Sequence, residues 1–86
     1  MSHIPQEFHN EFPQEAAVLQ ELKKSDAHFQ QVAGRFEDVN VEIRRIETEE
    51  VPRSDQYLED LKKQRLALLD EVAGIVARAK AETPAS

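Results

Sequence analysis

The sequence predicts an all-α protein: an antiparallel helical hairpin, coiled-coil-like and oligomeric, with room for a short N-terminal helical extension. Three observations carry this reading. Apolar residues recur at alternating steps of three and four through two long segments. A proline-containing turn separates those segments at Pro52. Charged residues make up 33% of the chain and aromatic residues only 6%, which suits solvated helices better than a sheet or a deep pocket.

At 86 residues the chain is limited to one small domain. Residues 1–11 are polar, include His3, Pro5 and His9, and read as a loose N-terminal tail. Phe12-Pro13 reads as a helix start. Proline fits the first helical position and pushes the preceding residue out of the α region. The hairpin is expected over residues 12–80, with its turn at about 50–55 and a loose C-terminal tail over 81–86.

The first arm carries the seam Val18, Leu22, Ser25, Phe29, Val32, Phe36, Val39, Ile43 and Ile46. Pro52 then interrupts the helix, and Ser54 or Asp55 can cap the next one. The second arm carries Leu58, Leu61, Arg65, Leu68, Val72, Ile75 and Ala79. A fold centred on Pro52 sets Ile46 against Leu58, Ile43 against Leu61, Val39 against Arg65 and Phe36 against Leu68. The same fold sets Val32 against Val72 and Phe29 against Ile75. The turn chemistry therefore lies at the centre of the pairing. Arg65 is the only charge in the second seam. Its stem can pack on Val39 while its head reaches Asp38 or Glu42.

Ser25-Asp26 has capping chemistry that favours a break in the first arm. The heptad keeps its phase from Val18 to Phe29, which favours one long, bent helix. Residues 14–24 therefore either continue the first helix or fold back on the hairpin.

Two helices alone bury a narrow seam, so more cover is expected. A second apolar stripe on the second arm, Leu66, Leu69, Ala73 and Val76, marks a candidate interface. Val18, Leu19 and Leu22 folded back, or a second chain, would cover it. Gly74 beside Ala73 would let another helix approach closely, as would Gly34 beside Ala33. The plainer alternative is that both glycines are tolerated on solvent faces.

The chain has 11 basic and 17 acidic residues and a net charge of −6, which counts against general binding to phosphate backbones. Arg44, Arg45, Lys62 and Lys63 form a candidate basic patch, with Glu42, Glu47, Glu59 and Asp60 close enough to neutralise it. His28 has no second ligand at helical spacing, so no metal site is expected. No phosphate-binding loop, activated nucleophile or cleft for a perturbed carboxylate is apparent. The chain is read as having no catalytic residues and no cofactor.

Several runs resemble the YdcH-like family of short bacterial proteins of unknown function. They are Phe12-Pro13, Leu22-Lys23, Phe29, Glu42-Ile43 with Arg45 and Glu47, and above all Lys62-Lys63-Gln64-Arg65-Leu66-Ala67-Leu68-Leu69-Asp70-Glu71. The resemblance spans roughly residues 12–75. It implies a helical hairpin in a Gram-negative cytosol, with no established activity. The chain departs from the family at Phe36, where members often have His, at Asn40, where Asp is common, and at Leu69, where Lys is usual. A role resting on that His or Asp does not carry over, and Leu69 makes the second stripe more apolar.

The functional expectation is a self-associating interaction module, a homo-oligomer that also binds an unknown protein partner through helix faces. The alternative is an RNA- or DNA-binding accessory protein that uses the basic patch. The opening MSHIPQEFHNEF has no basic patch followed by an apolar run, and no stretch reaches the ~20 apolar residues of a membrane span. With no cysteine in the chain, a cytoplasmic location is expected, with no membrane association.

Overall fold

The computed structural model describes residues 4–48 and 53–82, and among them it contains helices and no strand. The helices are α1 (Gln6–Glu11), α2 (Ala16–Ser25), α3 (Ala27–Glu47) and α4 (Asp55–Glu82). α3 and α4 pack against each other as the expected antiparallel hairpin. Residues 49–52, including the expected turn residue Pro52, lie outside the described residues. Beyond them Ser54 caps α4, its Oγ accepting the Tyr57 N–H at 3.1 Å. α4 continues to Glu82, past the expected start of a C-terminal tail.

The seam is buried in two parts. Phe29, Val32, Phe36, Leu68, Val72 and Ile75 belong to the larger cluster, at the open end of the hairpin. Ile43, Ile46 and Leu61, with Leu58 against them, form a smaller one towards the turn. Val39 packs on both. The division falls at the layer where the second arm supplies Arg65 rather than an aliphatic side chain.

The first arm is broken, against the reading of one long helix. Asp26 has extended backbone (φ −115°, ψ 105°) and its Oδ1 accepts the Phe29 N–H at 2.9 Å. A carboxylate at this position satisfies an N–H that α3 leaves unpaired and complements the positive end of its dipole. Ser25 Oγ donates to the Glu21 carbonyl at 2.8 Å, which finishes α2 on the other side. The capping chemistry overrides the heptad phase.

Residues 4–11 correct the reading of a loose N-terminal tail. They contain α1, and Phe8 on it is 0% exposed. Ile4, Phe8 and Phe12 recur every four residues and so share one helical face. Ile4 and Phe8 are buried in the larger cluster and Phe12 packs against it. Phe12-Pro13 likewise does not start a helix. Phe12 ends α1 with φ −126°, ψ 63°, and its carbonyl accepts the Glu15 N–H at 3.1 Å. Proline follows as the second residue of a tight turn, which its fixed φ also suits.

The turn sends the N-terminal segment back along the hairpin. Glu15 Oε1 meets Lys80 Nζ at 3.1 Å, near the open end. Farther along, Phe8 reaches Phe29 and Phe36, and Glu7 reaches Asn40. Residues 14–24 therefore do not prolong the first arm. Their helix α2 contacts both α3 and α4 and buries Leu19 and Leu22. This is the additional cover that the narrow seam requires.

Candidate functional site

The second stripe is the first candidate, and the structure divides it. Leu19, Leu22 and Val76 are buried inside one chain, and Val18 and Leu69 are partly buried against the same cluster. Leu19, Leu22 and Val76 therefore present no free face, and Val18 and Leu69 present only part of one. Leu66 is 61% exposed, and Ala73 and Gly74 are exposed on the outer side of α4. A Cβ on Gly34 or on Gly74 would meet nothing within 4 Å, so within the chain neither glycine serves a close helix approach.

The basic patch is the second candidate. Arg44, Arg45 and Lys63 are exposed, and Lys62 Nζ pairs with Glu47 Oε2 at 3.3 Å. The first-arm and second-arm members thus share one region, interleaved with carboxylates. Tyr57 lies nearby, its hydroxyl donating to Glu42 Oε2 and its ring under the Arg53 guanidinium at 5.5 Å. The Glu42 carboxylate, as hydrogen-bond acceptor and as a negative charge, pushes the Tyr57 pKa above its ordinary value.

Arg65 does not reach Asp38 or Glu42, as the sequence reading expected. Its Nη1 donates to Asn40 Oδ1 at 3.2 Å, and Asn40 Nδ2 donates to Glu7 Oε2 at 3.2 Å. Asn40 is only 8% exposed, the one buried polar residue among those described. Its amide joins an acid from α1 to a guanidinium from α4. Sequence reasoning missed Glu7 and Asn40 as a structural pair. The four-residue spacing of Ile4, Phe8 and Phe12 was the available signal, since it makes residues 4–12 a face that must dock somewhere.

His28 is exposed on α3, with Nε2 at 2.8 Å from Glu71 Oε2, and His9 lies in the last turn of α1. His3 lies outside the described residues. Among the described residues no group of three or more His, Cys, Asp or Glu side chains is arranged to hold a metal ion. One open groove on the surface is lined by Asp38, Val41, Glu42, Arg45 and Arg53, four of them charged. No helix among the described residues is long and apolar enough to cross a membrane.

These features define a class: a small all-α protein built on a helical hairpin whose outer surface is charged and whose seam is apolar. A family model described as a protein of unknown function (DUF465) matches residues 29–76. The chain belongs to this DUF465 family, which includes the YdcH-like proteins. No curated protein and no solved structure matches the chain. The matched segment begins inside α3 and ends inside α4, so it is the hairpin, and α1 and α2 lie outside it.

Proposed function

We propose that this chain is a non-catalytic interaction module that self-associates and meets a protein partner through the outer face of α4. The observation that carries the reading is Leu66, 61% exposed, on the same side of α4 as the exposed Ala73. A large aliphatic side chain in water beside a small residue is surface that association removes from water. The nucleic-acid reading has less support. Lys62 is paired with Glu47, and carboxylates lie among the other members of the patch.

Light scattering over a dilution series tests self-association. The mass should lie above the 9.8 kDa of one chain when concentrated and fall towards it on dilution. A Leu66→Asp variant should stay at one chain at every concentration well below millimolar. A wild-type protein that is monomeric at every concentration ends the reading.

A further inference from the structure

We propose that residues 4–12 form an exchangeable arm, and that the seat they fill on α3 also accepts the same arm from a second copy of this chain. The seat is specific. Phe8 lies edge-on to Phe29 with ring centroids 5.9 Å apart and tilted against Phe36 at 4.9 Å. One turn beyond Phe36, Asn40 binds the Glu7 carboxylate at 3.2 Å and is itself held by the Arg65 guanidinium. An apolar ring contact and a polar contact thus select this arm and fix its direction.

The arm has no stability of its own. α1 has six residues, well below the ~12–15 at which an isolated helix becomes marginal in water. It is helical because it is docked. The contacts that dock it are made by side chains, and the same side chains on a second copy would satisfy the seat equally well. The tether is a tight turn closed by the Glu15 N–H to Phe12 carbonyl bond at 3.1 Å. The seat lies in the segment shared with the family and the arm lies outside it. Exchange of an identical element between copies needs only a hinge and a preserved seat. A short tether holds its arm at an effective concentration of about millimolar. Docking within one chain therefore dominates in dilute solution, and exchange appears as the protein approaches that concentration.

The chain has no cysteine, so single thiols can be placed freely. Gln6→Cys and Val41→Cys, exposed neighbours of Glu7 and Asn40 that leave the polar contact intact, are made in separate copies, both carrying Leu66→Asp so that association through α4 is absent. The copies are mixed near millimolar concentration and treated with a short bis-maleimide. The control pairs Gln6→Cys with Asp55→Cys, at the exposed start of α4. The cross-linked heterodimer should form at least about tenfold faster for the Gln6–Val41 mixture than for the control, and the difference should vanish on hundredfold dilution. Equal rates overturn the proposal. Hydrogen exchange on the unaltered chain supplies a second reading. The Phe8 and Phe12 amides should exchange at least about tenfold faster than those of Phe36 and Val72. Equal protection would mean that the arm opens only when the hairpin does, and would overturn the proposal independently.

Discussion

Arg65 Nη1 donates to Asn40 Oδ1 at 3.2 Å, and this cross-helix pair sits where the apolar core divides in two. Arg65→Ala is expected to destabilise the chain by about 1–3 kcal/mol, because it strips a partner from a buried amide. Replacing both members, as Asn40→Leu with Arg65→Met, is expected to recover most of that loss, since a buried polar set is often matched by apolar side chains of similar volume. Urea unfolding followed by helical circular dichroism measures both. A double variant as unstable as Arg65→Ala alone would contradict this account.

Asp26→Ala should lower stability by about 1 kcal/mol, the usual worth of an N-cap side chain. In a domain of this size that is a fall of roughly 4–8 °C in Tm. Asp26→Ser should restore most of it, because the hydroxyl can also accept the Phe29 N–H. An Asp26→Ala protein that melts with the wild type would mean that the α2–α3 break is held by packing alone.

Gly34→Ala and Gly74→Ala should each stabilise the monomer by about 0.8–1 kcal/mol, the helix-propensity difference, because a methyl group at either position meets empty space. The two sites share no partner, so the gains should add. Thermal unfolding of both singles and the double checks this. A loss at either site would reveal a neighbour that one chain does not contain.

Tyr57 is the only tyrosine, so its titration is visible in the ultraviolet spectrum without interference. Its pKa should lie above the ordinary value of about 10, and Glu42→Gln should bring it down. A group whose folded pKa is raised stabilises the fold while protonated. The contribution is therefore complete below pH ~10 and is lost as the pH rises through the folded value. A wild-type titration identical to that of Glu42→Gln would remove the hydrogen bond from the account.

The hairpin was legible because burial along two packed helices imposes a heptad, and Phe36 with Leu68 or Ile43 with Leu61 obeys it. The N-terminal segment was harder. A six-residue helix shows less than two turns of pattern, and Pro5, His3 and His9 gave residues 1–11 the composition of a tail. At Asp26 two signals conflicted. The heptad phase survived across the break because Leu22, a seam position of the unbroken helix, is also buried when α2 folds separately, alongside Leu19. The partner of Arg65 was not legible, since it depends on Asn40, which α1 helps to bury.

The unequal core has a mechanical consequence. Towards the turn, the hairpin is fastened by Ile43, Ile46 and Leu61, whereas the opposite end is wrapped on a third side by α1 and α2. Val39 and the Asn40–Arg65 pair are what join the two zones, so the half towards the turn can fray while the seam around Phe36 and Val72 stays shut. The molecule is hinged like a clothes peg whose grip lies at the end away from its bend.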